Sequence, residues 1–245
     1  MNDSASAARQ RLIVALDLAD PARARTLATL LAPEVGMFKV GKQLFVNSGP
    51  DIVRMIHDLG GEVFLDLKFH DIPNTVAAAA VEATRLGVKL FNIHVSGGRE
   101  MMRQTAEAVE EVCGKEGLRR PSVLGVTVLT SLDASDLESM GVQGAVAAHV
   151  VRLAGMAREA GLAGVVCSAQ EVRDIRNACG DSFMLVTPGI RPAGQQAGDQ
   201  KRVMTPGEAV RAGIDHIVVG RPITGADDPV EAARAVVAEM SAAEG

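Results

Sequence analysis

The chain has 245 residues, 47% hydrophobic and 22% charged, which suits one large α/β domain or two small ones and is ordinary for a soluble globular enzyme. A net charge of −5 argues against a nucleic-acid backbone as partner, and 2% aromatics with no Trp or Tyr removes the stacking platforms of single-strand binders. Cys113, Cys167 and Cys179 show no metal-ligand or redox spacing and are expected to be reduced structural thiols, and no apolar run reaches transmembrane length, so a cytoplasmic protein is expected.

In chain order, residues 1–10 open without a basic segment followed by an apolar run, so they are expected to fray rather than to form a signal peptide. A strand-like run at 12–16 ends at Asp17, and 21–31 has helical spacing. The next strand, 37–40, carries Lys39 at its end and is followed by a helix at 52–59. Strand 63–67 leads through Asp66 and Lys68 into a helix at 76–86. Strand 90–95 ends at His94 and Ser96, before a helix at 99–112. Thr130 lies just past strand 123–127, which precedes a helix at 145–160. Strand 164–167, helix 169–178 and strand 183–186 come next. A segment at 189–204, rich in Gly, Gln and Pro, is the one long irregular stretch, and its length points to a functional lid. Helix 206–212, strand 216–219 and helix 229–240 complete the chain.

Continuous apolar strands separated by helices indicate a parallel sheet covered on both faces. Eight such units predict a single (β/α)8 TIM barrel over 1–245. A doubly wound open sheet competes, but no glycine-rich dinucleotide fingerprint follows the first strand. Active sites of barrels gather at the carboxyl ends of the strands, and Asp17, Lys39, Asp66, Lys68, His94, Thr130, Arg191 and Arg221 all fall there.

The densest of these positions is the third strand. Side chains two apart on a strand share a face, so Asp66 and Lys68 are expected to point together, away from Leu65 and Leu67. Charges are costly to bury unless paired, so such a strand usually ends in a site; a surface ion pair is the plain alternative. Asp71 opens the next helix, and Lys39, Asp66, Lys68 and Asp71 can alternate as a network that keeps Lys68 an ammonium. Taken alone, Asp17 also reads as a helix N-cap and Lys39 as a solvated lysine. After strand 216–219, Gly220 and Arg221 form a candidate anion site at a helix start.

The run Leu65-Asp66-Leu67-Lys68-Phe69-His70-Asp71-Ile72-Pro73-Asn74-Thr75 closely resembles the signature of the orotidine 5′-phosphate decarboxylase family. The resemblance extends from Val14-Ala15-Leu16-Asp17 to Val219-Gly220-Arg221-Pro222. It implies conversion of orotidine 5′-phosphate to UMP and carbon dioxide in pyrimidine biosynthesis, with no metal and no cofactor, by a homodimer with shared sites. Lys68 would be the proton donor, with Asp66 and Asp71 completing the array. Asp17 and Lys39 would hold the ribose hydroxyls, and Asp71 and Thr75 would reach into the partner's site. Thr130, with Ser131 beside it, matches the hydroxyl residue that reads the pyrimidine edge. Arg191 and Gln200 would contact the nucleotide, and Gly220 and Arg221 its phosphate.

Loss of carbon dioxide from pyrimidine C6 leaves a carbanion with no carbonyl placed to delocalise it. A fixed ammonium such as Lys68 supplies both charge stabilisation and a proton. The competing functions are a metal-dependent sugar-phosphate lyase or aldolase of the same barrel superfamily and a silent UMP-binding barrel. The His70 to Thr75 context and Gln200 favour the decarboxylase. His57, His149 and His216 read as ordinary helix or strand histidines, and His70 and His94 have no assigned role.

Overall fold

The computed structural model describes residues 3–192 and 204–243. Eight parallel strands close into a barrel in chain order, β1 (Leu12–Ala15), β2 (Met37–Gly41), β3 (Val63–Phe69), β4 (Leu90–His94), β5 (Ser122–Val126), β6 (Gly164–Val166), β7 (Met184–Thr187) and β8 (His216–Val219). Each predicted strand lies within two residues of the observed one at either end. The helices among the described residues are α1 (Asp3–Arg11), α2 (Pro21–Leu31), α3 (Lys42–Ser48), α4 (Asp51–Asp58), α5 (Pro73–Arg85), α6 (Arg99–Glu116), α7 (Ala134–Ser139), α8 (Val146–Glu159), α9 (Val172–Cys179), α10 (Pro206–Arg211), α11 (Arg221–Thr224) and α12 (Pro229–Ala242). None is long and apolar enough to cross a membrane.

Strand alternation sorts the apolar residues into two cores. Val14, Phe38, Leu65 and Phe91 face outward and pack under the helices. Ile13, Met37, Phe64, Leu90, Leu124 and Val218 fill the barrel interior. Two residues further along three of these strands, the inward positions become Lys39, Asp66 and Asn92. The same period that builds the interior therefore aims polar groups at its carboxyl-end mouth.

Residues 3–10 correct the expectation of a frayed terminus, because they belong to α1. Ala8 is fully buried, Ser4 pairs with Ser241 at 2.6 Å, and the Arg9 guanidinium donates to the Pro33 carbonyl at 2.6 Å. Arg11 donates to the carbonyls of Asp215 and Ile214 just before β8. A polar, Ala-rich sequence carries little amphipathic signal, so docking rather than local pattern orders this helix. The short helices α3 and α7 were likewise absent from the pattern reading.

Candidate active site

At the barrel mouth four charged side chains form an unbroken alternating chain. Lys39 Nζ lies 2.7 Å from Asp17 Oδ1 and 3.3 Å from Asp66 Oδ2, and Lys68 Nζ lies 2.5 Å from Asp66 Oδ1. Lys39 comes from β2, Asp66 and Lys68 from β3, and Asp17 from just past β1. Asp17 is not the cap of α2; Asp20 fills that place, accepting from the Ala22 N–H at 2.9 Å. Gly41 keeps the corner open, since a Cβ there would sit 2.9 Å from Asp17 Oδ1 and 3.2 Å from Lys39 Nζ.

Lys68 meets Asp66 by a route that simple alternation does not describe. The β3–β4 register sets Leu65 opposite Phe91 and Phe69 opposite Ile93, so four residues of β3 advance against two of β4. The surplus is taken up in a bulge. Lys68 has a φ of 52°, the one positive φ at a non-glycine among the described residues. A left-handed backbone costs an ordinary residue about 1–2 kcal/mol and marks a conformation that its surroundings impose. Asn92 on β4 supplies part of that constraint. Its side chain accepts from the Lys68 N–H at 2.8 Å and donates to Asp66 Oδ1 at 2.7 Å. Sequence reading passed over Asn92, although a buried amide among Leu90, Phe91 and Ile93 was a usable signal.

The electrostatics follow from this packing. Burial alone pulls the Lys39 ammonium down, but the Asp66 and Asp17 carboxylates outweigh it and leave its pKa above the usual lysine value. Burial pushes Asp66 up, yet Lys39, Lys68 and the Asn92 hydrogen bond hold it below the ordinary aspartate value. Asp66 is thus an anion locked between two cations at neutral pH. Beside it, burial, the His70 ring 5.3 Å away and the Lys42 and Lys68 cations push His94 down to about 4. The Cys167 thiol, which lines the same space, is raised by burial to about 12 and stays protonated.

The charged chain forms one wall of a cleft of about 490 Å³, faced by Phe64, Val126, Val166, Val218 and Pro188. A second cleft of about 380 Å³ continues from it past Asp17 and Lys39 to Gly189, Arg191, Gly220 and Arg221. Clefts of this combined size hold a nucleotide-sized molecule. Polar recognition would lie along one wall, a flat apolar ring against the other, and an anionic end near the two arginines. The helix after Gly220, α11, is a single turn, so its dipole adds little and the arginines supply most of the positive potential.

Other predicted positions separate. Thr130 lines the first cleft, whereas Ser131 is exposed and does not. Asp71 is outside the array within one chain: it is exposed, and its carboxylate accepts from the Ile72 N–H at 2.7 Å. Within one chain the alternation therefore runs through Asp17, Lys39, Asp66 and Lys68 and does not include Asp71, which was expected to act in a partner's site. The physical reason is that Asp71 lies past the bulge, in the turn leading to α5, where its side chain faces solvent. Thr75 is also exposed, in the first turn of α5. Gln200 lies outside the described residues, as does most of 189–204; at its ends Ile190 bridges Met204, and the Arg191 N–H donates to the Met204 carbonyl at 3.0 Å. His57, His149 and His216 are remote from both clefts.

Comparison with known proteins gives a consistent result. The model of the orotidine 5′-phosphate decarboxylase / HUMPS family matches residues 10–236. Orotidine 5′-phosphate decarboxylase of Geotalea uraniireducens is 55% identical over 238 residues, covering 97% of this chain and 98% of that protein. The protein of the same name from Syntrophotalea carbinolica is 56% identical over 236 residues, covering 96% and 97%. Among solved structures, orotidine 5′-phosphate decarboxylase from Lactobacillus acidophilus superposes with a TM-score of 0.82 at 38% identity, covering 94% of this chain and 98% of that one.

Proposed function

The chain belongs to the orotidine 5′-phosphate decarboxylase / HUMPS family, and from that premise we propose that it decarboxylates orotidine 5′-phosphate to UMP without a cofactor, using the charged chain at the barrel mouth. As a member with these relatives it is a carboxy-lyase of pyrimidine biosynthesis. The observation that carries the mechanistic reading is the alternation Asp17–Lys39–Asp66–Lys68 against an apolar wall.

In this reading the pyrimidine lies against Val126, Val166 and Val218, with Thr130 at its polar edge and the phosphate at Arg191, Gly220 and Arg221. Asp17 and Lys39 hold the ribose hydroxyls. The C6 carboxylate lies beside Asp66, so repulsion eases as the C6–carboxylate bond breaks and neutral carbon dioxide departs. The electron pair stays on C6, where the Lys68 ammonium stabilises it and then transfers a proton; Lys68 is reprotonated from solvent. Because Asp66 pre-pairs Lys68, the cation is fixed before charge develops, which is the form of stabilisation with least reorganisation.

The relatives' names favour this reading over a metal-dependent lyase, and so does the donor set. A divalent cation at Asp66 would have to displace ammoniums already 2.5 and 3.3 Å away. Asp71, Ile72 and Thr75 are exposed together at the start of α5, and Ile72 is 66% exposed. We place them in the site of a second copy, in a two-fold homodimer with shared active sites in the cytoplasm. The test of the activity is the loss of orotidine 5′-phosphate absorbance with EDTA present. Cofactor-free decarboxylation predicts full activity; activity that EDTA abolishes, or that appears only on a ketose phosphate, would overturn it.

A further inference from the structure

We propose that Asn92 is a positioning residue for the reaction, holding Lys68 and Asp66 in their working geometry through one side-chain amide. The inference rests on the decarboxylase reading for its kinetic consequence, but its structural content stands without it.

Asn92 is fully buried in the barrel interior on β4, between the inward positions of Leu90 and His94. Its carbonyl oxygen accepts from the Lys68 N–H at 2.8 Å, and its amide nitrogen donates to Asp66 Oδ1 at 2.7 Å. The register break between Leu65 and Phe69 takes Lys68 out of the regular ladder with β4. Asn92 therefore replaces a missing ladder acceptor with a side-chain one. That bond is made at the residue whose φ is 52°. The other half of the same amide meets the carboxylate that Lys68 Nζ also grips at 2.5 Å. Three groups are thereby tied in one ring: the Lys68 backbone, the Asp66 carboxylate and the Lys68 ammonium.

The chemistry of the amide is specific to this place. One partner is a donor N–H and the other a carboxylate that only accepts, so the bridging group needs one acceptor and one donor on a short planar fork. The opposite orientation of the amide would set donor against donor and oxygen against carboxylate, so the assignment is fixed by its partners. Leucine matches the volume and supplies neither bond. Aspartate matches the shape but, when ionised, faces Asp66 with a second negative charge. When it holds a proton, aspartate again has one donor and one acceptor, and the pair carries the same single negative charge as Asn92 with Asp66.

This yields a readout that a purely structural residue would not give. In Asn92→Leu, kcat should fall by about 10²-fold, as expected for misplacement of a reacting group by about an ångström, while KM moves little. In Asn92→Asp, the ratio of variant to wild-type kcat should rise steadily as pH falls from neutral, because two carboxylates this close share one proton with a raised apparent pKa. A crystal structure of either variant supplies the arm that needs no turnover. Asn92→Leu at neutral pH should show Lys68 leaving its positive φ, or Lys68 Nζ parting from Asp66.

The inference is overturned if the Asn92→Leu structure keeps both the φ of Lys68 and the Asp66 contact, or if the Asn92→Asp ratio is flat with pH. If the leucine variant does not fold, the aspartate variant decides alone. Should wild type fail to turn over orotidine 5′-phosphate, the decarboxylase reading falls, and the crystallographic arm still decides the role of Asn92.

Discussion

Replacing Asp66 with asparagine keeps the shape of the side chain and removes the one anion between Lys39 and Lys68. At the distances of 2.5 and 3.3 Å, two gross attractions of about 7 and 5 kcal/mol vanish at an effective dielectric of about 20. Most of that is already offset in the native protein by desolvation of the ions, and breaking a buried pair from one side costs about 3–5 kcal/mol net. Lys68 is 24% exposed and can turn towards solvent, whereas Lys39 is 10% exposed and cannot, so the lower figure applies. Asp66→Asn should therefore lose about 3 kcal/mol, or about 6–12 °C in Tm for a domain of this size. Urea and thermal unfolding followed by circular dichroism at neutral pH and low salt measure it. A variant within about 1 kcal/mol of wild type, or more stable than it, would refute the view that Asp66 compensates both cations.

Arg221→Ala should raise KM for orotidine 5′-phosphate by about tenfold or more and leave turnover of unphosphorylated orotidine nearly unchanged; equal damage to both substrates would remove Arg221 from the phosphate site. Mixing inactive Lys68→Ala with inactive Asp71→Ala under subunit exchange should restore about a quarter of wild-type activity, because about half of the dimers are hybrids with one intact site of two. No recovery after exchange is verified by mass would place Asp71 in its own chain's site. At the opposite end of the barrel, burial depresses His216 from 6.5 to about 4, so its contribution to stability is complete above pH 6.5 and is lost as the pH falls towards 4, where the unfolded chain binds the proton first. The loss is up to about 3 kcal/mol, and His216→Gln should flatten that part of the pH–stability curve; an unchanged slope would contradict it.

The barrel was readable because its strands announce themselves by apolar runs and its site by what interrupts them. Lys39 and Asp66 each stand two residues beyond an inward apolar residue, Met37 and Phe64, so alternation alone aims them at the mouth. Lys68 meets Asp66 as alternation predicts, but alternation gives only part of the reason. Nothing in a run of Leu67-Lys68-Phe69 distinguishes an extended lysine from a left-handed one, and the bulge depends on pairing with β4. Asn92 and Gly41 escaped notice because their importance is relational: one answers the Lys68 N–H, the other yields space to Asp17. Asp71 shows the reverse limit. Its motif position suggested membership of the array, but within one chain its side chain faces away, and the place we assign it lies in a second copy. The helix α1 was missed because its order comes from docking against Ser241, Pro33 and Ile214 rather than from amphipathic spacing.

The central claim is that the ammonium of Lys68, fixed by Asp66, stabilises and protonates C6. Its most direct test is the single-turnover rate of Lys68→Ala on saturating orotidine 5′-phosphate, with folding checked by circular dichroism and UMP binding by calorimetry. Loss of a combined charge stabiliser and general acid predicts a rate lower by at least ~10³-fold in a folded protein that still binds UMP. A folded variant that decarboxylates within tenfold of wild type would contradict the account.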